Sequence, residues 1–324
     1  MNKKILLFIL ISLITSNLFG SDFIHMSEEW KARVGLGYYN YSSSKKFDPD
    51  GKKVASGYDE SETRIPITIS YCGLYKKWKN PTMLQIIFDF VNREKKGTNF
   101  KATGSGLGNI EVTGKKWLMY DYKWQPSVIW GFSYKLPLGK NPLVNEDFDV
   151  NKKLAVSGPP PDSGESYISY AGETYLNLTG GISMNKIIGI FTFGAETSYT
   201  FRYGPWSSEK TIITSGETVP TPKTIYNLGD TLRYNVYTTI KLSNRISLEL
   251  EHKLITTTKT TVYNGDTGLT RNIPNSDSNL GTLLTTVEYR FSQYISTALK
   301  SSIPVFGKNE PTGNNFSLAT QIEW

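Results

Sequence analysis

Glu249 and Glu251 are the carboxylates of this 324-residue chain whose spacing most invites chemistry. Two positions apart in an extended segment, they share a face about 7 Å from each other, a separation that a glycosidic carboxylate pair could use. Lys253 continues that face and Arg233 is expected beside it, so a network of ion pairs is the plainer reading. The two histidines offer less. His25 precedes the first extended segment and His252 falls on the outer, apolar side of its own, so neither completes a catalytic set with a serine and an aspartate. Cys72 is the single cysteine. It excludes an intramolecular disulfide framework and a thiolate metal cluster, and reads as a small packing residue. Gly104-Ser105-Gly106-Leu107-Gly108-Asn109 has the outline of a phosphate-cradling loop, but Asn109 takes the last glycine position and no helix follows. No catalytic residue, metal or cofactor is expected, and the chain does not read as an enzyme.

The elements that must carry these residues are strands. Aromatic residues make up 13% of the chain, and short runs rich in Thr, Ile, Val and Tyr alternate with Gly, Asn, Asp and Pro. Twelve extended segments are predicted, at 30–43, 61–75, 81–93, 108–119, 124–138, 168–184, 186–203, 226–242, 244–262, 278–291, 293–304 and 314–324. Most alternate cleanly with period two. Val128, Trp130, Phe132, Tyr134, Leu136 and Leu138 oppose Ser127, Gly131, Ser133 and Lys135. Phe191, Phe193, Ala195, Tyr199 and Phe201 oppose Glu196, Ser198, Thr200 and Arg202. Leu232, Tyr234, Val236, Thr238, Ile240 and Leu242 oppose Arg233, Asn235, Tyr237, Thr239 and Lys241. Ile246, Leu248, Leu250 and Leu254 oppose Ser247, Glu249, Glu251 and Lys253. In the fourth segment Ile110 and Val112 share a face with Lys116, which predicts a bulge or a change of register.

The connections alternate as well. Those after even-numbered segments are tight (76–80, 120–123, 185, 243–244, 292–293), and those after odd-numbered segments are long (44–60, 94–107, 139–167, 204–225, 263–277, 305–313). An even strand count with short turns on one rim and long loops on the other is the pattern of a transmembrane antiparallel β-barrel, all-β, in the outer membrane. A mean hydropathy of −0.34 agrees with it, because only alternate strand residues face lipid. Aromatics are expected at both rims: Trp30, Trp78, Trp124, Phe291, Tyr294 and Trp324 at the periplasmic one, Tyr41, Tyr203, Trp206 and Tyr263 at the outer one. Residues 1–20 read as a cleaved signal peptide, with Lys3 and Lys4 before an apolar core too short to span a bilayer as a helix. Residues 21–324 then form the barrel. The formal charge of +7 is spread among acidic residues with no basic stripe, so nucleic acid is not an expected partner.

The last stretch, with Phe316, Leu318, Thr320, Ile322 and Trp324 on one side and Ser317, Ala319, Gln321 and Glu323 on the other, resembles the closing strand of bacterial outer-membrane barrels. Such strands commonly end in an aromatic read by the assembly machinery, which makes Trp324 the expected assembly signal. The landmarks Ser105-Gly106-Leu107-Gly108-Asn109-Ile110 and Tyr134-Lys135-Leu136-Pro137-Leu138-Gly139 resemble those of the outer-membrane barrel family linked to the MetA pathway of phenol degradation, with Asn109 in place of its usual Asp. That family is loosely similar to the long-chain fatty acid transporters. Those carry an N-terminal hatch, for which the ten or so residues before Trp30 leave no room.

Candidates for the inner wall are Arg33, Arg64, Lys135, Arg202, Arg233, Lys241, Lys253, Arg290 and Lys300, against Asp89, Glu196, Glu249, Glu251, Glu288 and Glu323. The expected role is a passive channel or facilitator for small, apolar or aromatic, solutes. The alternative is a filled barrel whose long loops serve as an adhesin or a structural surface element. Outer-membrane lipid, the barrel assembly machinery and a small solute are the expected partners, and nothing in the sequence specifies an oligomeric state.

Overall fold

The computed structural model describes residues 32–73, 82–97, 101–136, 166–168, 176–203, 206–208, 211–214, 217–220, 224–227, 229–264, 268–272 and 276–324. Twelve long strands follow one another around a ring. They are β1 (Ala32–Phe47), β2 (Lys53–Gly73), β3 (Thr82–Gly97), β4 (Lys101–Met119), β5 (Ser127–Leu136), β6 (Leu176–Ile188), β7 (Phe191–Tyr203), β8 (Thr231–Lys241), β9 (Ile246–Thr257), β10 (Ser278–Arg290), β11 (Ile295–Lys308) and β12 (Asn314–Glu323). Each pairs antiparallel with the next, and β1 pairs with β12 from Arg33↔Glu323 to Ser42↔Asn314, so the sheet has no free edge. Among the described residues no helix is long and apolar enough to cross a membrane. A closed sheet does so without one, because every ladder group finds its partner within the ring.

The burial pattern is inside-out. On β2, Thr68 is 0% exposed while its neighbour Ile69 is 49% exposed. On β9, Glu251 is 3% exposed and Leu250 49%. The same alternation sets exposed Trp130 and Phe132 against buried Ser127 and Ser133, and exposed Leu299 and Ile303 against buried Lys300 and Ser302. Apolar side chains displayed to water at this density would drive association. Facing hydrocarbon they lose that cost, while the polar set faces the barrel's interior. The faces read from the sequence for β5 as far as Leu136, and for β7, β8, β9 and β12, are those of the fold, and Leu138 lies outside the described residues.

The irregular fourth strand keeps Ile110, Val112 and Lys116 on one outer face, with Lys116 across from Trp130 near the turn-side rim. Its disturbances lie on either side of that stretch. One bulge falls between Phe88 and Phe90 of β3, opposite Leu107 and Ile110, and another between Trp117 and Met119. The expected turn at 185 is displaced. Asn185 pairs with Gly194 inside the β6–β7 ladder, and the chain reverses at Gly189, whose φ of +62° suits glycine.

Two of the expected long loops are mostly strand and a third is partly so. β1 runs on to Phe47 and β2 begins at Lys53, β3 reaches Gly97 and β4 starts at Lys101, and β11 continues to Lys308. Serine- and charge-rich outer positions such as Ser42, Ser44 and Lys96 carry no apolar face, so these hairpins continue pairing beyond the lipid. In the outer connections, Trp206–Ser208, Thr224–Asn227, Thr261–Asn264 and Leu269–Asn272 form a separate four-stranded sheet. Residues 1–20, His25, Trp30 and Trp78 lie outside the described residues. On the turn-side rim Trp124, Phe291, Tyr294 and Trp324 are exposed. Tyr41 departs from the expected outer girdle: it shares the inward register of Tyr39, opposite Glu62 and Asn315, because exposed Tyr38 takes the outer face.

Candidate functional site: the charged inner wall

Twelve strands about 4.8 Å apart and tilted by about 40° make a backbone ring roughly 24 Å across, wider than side chains alone fill in an eight-stranded barrel. Long charged side chains enter that space from two sectors. On β7 to β11, Lys300 Nζ donates to Glu251 Oε2 at 3.3 Å, reaching over the intervening β10, with side-chain exposures of 3% and 1%. Glu196, Asn235, Lys253 and Thr282 stand in one cross-strand row from β7 to β10. Arg233, Glu251, Lys300 and Glu196 all lie close enough to act on Lys253. Nearer the turn-side rim, Thr239 Oγ1 donates to Glu249 Oε2 at 3.0 Å and Ser247 Oγ to Glu288 Oε2 at 3.3 Å. Lys241 and Arg290 occupy the inward register at that rim and are exposed there.

The second sector runs from β2 to β5. Glu62 accepts hydrogen bonds from both Arg64 Nε and Arg93 Nε, and Arg64 Nη1 lies 3.8 Å from Asp89 Oδ2. The Arg64 guanidinium also stands over the Tyr39 ring, 5.8 Å from its centroid. Lys135 faces Glu111 across the β4–β5 ladder, and Glu111 accepts from Ser133 Oγ at 2.6 Å. Beside it Lys115 is 3% exposed. At the seam, Arg33 Nη2 donates to Glu323 Oε1 at 2.6 Å.

At the loop-side mouth the β11–β12 turn folds inward. The Glu310 main-chain carbonyl accepts from the Phe47 amide at 2.8 Å, and its carboxylate Oε1 accepts from Ser278 Oγ at 2.5 Å. Burial pushes its carboxyl up, and the Ser278 hydroxyl and Arg202 on β7 oppose that shift. Outside the mouth, the hydrogen bond from Lys308 Nζ at 2.8 Å holds the Asp277 carboxyl below the ordinary carboxylate range.

Two further features of the inner wall escape a charge-based reading. Cys72, Met83, Trp117 and Ile129 form a buried apolar cluster at the turn-side end of β2 to β5, with Tyr120 stacked on Trp117 at 5.2 Å. Tyr237 of β8 lies flat over Gly194 of β7, where an added Cβ would stand 2.1 Å from its Cζ. Glu62, Arg93, Glu111 and Lys115 are also missing from the sequence-based set. The adjacent lysines Lys115 and Lys116 point to opposite faces, and the phase fixed by Ile110 and Val112 assigns Lys115 inward. His252 is on the outer face, its ring 6.0 Å from that of Phe306. Among the described residues no three His, Cys, Asp or Glu side chains gather to hold a metal ion.

No protein-family profile matches the chain, and neither does any curated protein. Among solved structures it is similar to an outer membrane channel from Pseudomonas putida F1, with a TM-score of 0.69 and 10% identity over 95% of this chain and 100% of that one. It is more loosely similar to the transport unit of the autotransporter AIDA-I from Escherichia coli, with a TM-score of 0.48 and 10% identity over 97% and 94% of the two chains. The NanC porin follows at 0.42 and 10% identity, over 90% and 99%. The first likeness bears on the fold, and it agrees with the inside-out burial: the chain is a twelve-stranded outer-membrane β-barrel.

Proposed function

We propose that this barrel is a passive channel for small solutes, apolar or aromatic ones among them. The observation that carries the reading is the division of its inner wall. Charged side chains crowd β2–β5 and β7–β11, whereas the middles of β5–β6 and β12–β1 present Gly131, Ser133, Gly181 and Ser183, and Gly35, Gly37, Ser317 and Ala319, between Lys135 on one side and Arg33, Tyr39 and Glu323 on the other. A ring about 24 Å wide exceeds what side chains fill in an eight-stranded barrel, which supports an interior that water and small solutes can enter. A barrel built to be filled would gain more from apolar packing than from so many inward charges, whose desolvation is costly. The landmarks at 105–110 and 134–139 support an aromatic solute.

The folded protein, reconstituted into liposomes, is expected to accelerate swelling in small uncharged solutes and in phenol-sized ones. Heat-modifiable protein that gives no swelling would overturn this reading. The outer four-stranded sheet favours a second role, in surface binding. Excision of 261–272 that abolishes adhesion and leaves flux unchanged would establish it.

A further inference from the structure

Lys253 projects from β9 onto the inner wall, and among the described residues it forms no ion pair. Its charged neighbours are Arg233, Glu251, Lys300 and Glu196. Glu251 is already engaged by Lys300. Asn235 stands opposite Lys253 in the β8–β9 register. It is 1% exposed, and neither its Oδ1 nor its Nδ2 has a hydrogen-bond partner among the described residues. Three basic side chains thus stand against two acidic ones on this wall. The ammonium of Lys253 and the amide of Asn235 keep donors to spare at the same level of the barrel.

We propose that Lys253 and Asn235, flanked by Arg233 and Lys300, form an anion-selecting step that takes a small monoanion such as chloride or a carboxylate. The inference rests on the channel reading and adds the charge class of what passes. A net positive charge on a wall of low dielectric lowers the energy of a passing anion and raises that of a cation. Spare N–H donors replace part of the hydration that an anion sheds in a narrow passage, and the positive balance of the wall outweighs the spare acceptors Asn235 Oδ1 and Glu251 Oε1 beside them.

The test is the reversal potential of the full-length barrel in planar bilayers under a potassium chloride gradient. Chloride is expected to be favoured over potassium. Lys253→Gln, which strands no carboxylate, should reduce the permeability ratio about three- to five-fold, as one unit charge within about 8 Å of the ion path implies. Lys253→Arg should keep the wild-type ratio. Asn235→Asp, a second route that leaves Lys253 in place, should reduce it as well. Folding of each variant is checked by heat-modifiable migration. A conducting wild-type barrel that favours potassium, or ratios unmoved by Lys253→Gln and Asn235→Asp, would overturn the anion step alone. A folded barrel that passes no current would overturn the channel reading and this inference with it.

Discussion

Glu251→Ala is expected to destabilise the folded barrel by about 3–5 kcal/mol, the cost of leaving a buried charge without its partner. The magnitude follows from where the pair sits. Lys300 and Glu251 lie 3.3 Å apart with side-chain exposures of 3% and 1%, so neither can turn to bulk water when the other is removed. The loss belongs to the stranded ammonium more than to the pair itself. Glu251→Gln combined with Lys300→Met removes both charges and should recover most of the stability, because well-packed uncharged replacements of a buried pair are often close to neutral. Urea unfolding in phospholipid vesicles, followed by tryptophan fluorescence, separates the cases. The single variant should unfold at clearly lower urea than the double one. Equal midpoints would place the pair in free contact with water and contradict the geometry.

Removal of Gln321, Ile322, Glu323 and Trp324 is expected to lower the yield of inserted barrel severely while leaving synthesis of the chain intact. These residues hold the turn-side half of the seam. The Ala32 amide donates to the Trp324 carbonyl at 2.9 Å, and the Trp324 amide to the Ala32 carbonyl at 3.0 Å. Glu323 bonds Tyr294 through its amide at 2.8 Å and Arg33 through its carboxylate. Without them β1 and β11 keep unpaired edges inside the membrane, where each orphaned amide or carbonyl costs several kcal/mol. Deletion of Trp324 alone isolates its exposed indole. We propose that this ring is read during assembly, so its loss should reduce insertion yield more than it changes the conductance of the barrels that do insert. Heat-modifiable migration of outer-membrane fractions measures the yield, and an unchanged yield would contradict that role.

Much of this fold could be read from alternation alone. Phe191, Phe193, Tyr199 and Phe201 against Glu196, Ser198 and Arg202 declare which side meets lipid, and a one-residue slip would invert them all. Where the alternation fails, so does the prediction. Ile187, Ile188, Ile190 and Phe191 form an apolar run around Gly189 that conceals a two-residue turn, and the expected boundary fell four positions early. Hairpins that outrun the lipid, such as β1–β2, have no apolar face to announce that pairing continues. The inward charges on single strands were accessible from period two, as with Glu249, Glu251 and Lys253. Their partners were not: Lys300 reaches Glu251 over a strand, and Glu62 serves both Arg64 and Arg93, contacts set by register and tilt rather than by spacing. The apolar cluster of Cys72, Met83, Trp117 and Ile129 was hidden for a related reason. Each member is an isolated apolar residue near a strand end, and the ring alone brings them together.

The central claim is that the inner wall lines a path through the membrane. Single-channel recording of the purified, folded barrel in planar bilayers tests it most directly. Discrete conductance steps are predicted in the wild type and in the paired Glu251→Gln and Lys300→Met variant alike. A correctly folded barrel that gives no steps in either form would contradict the account.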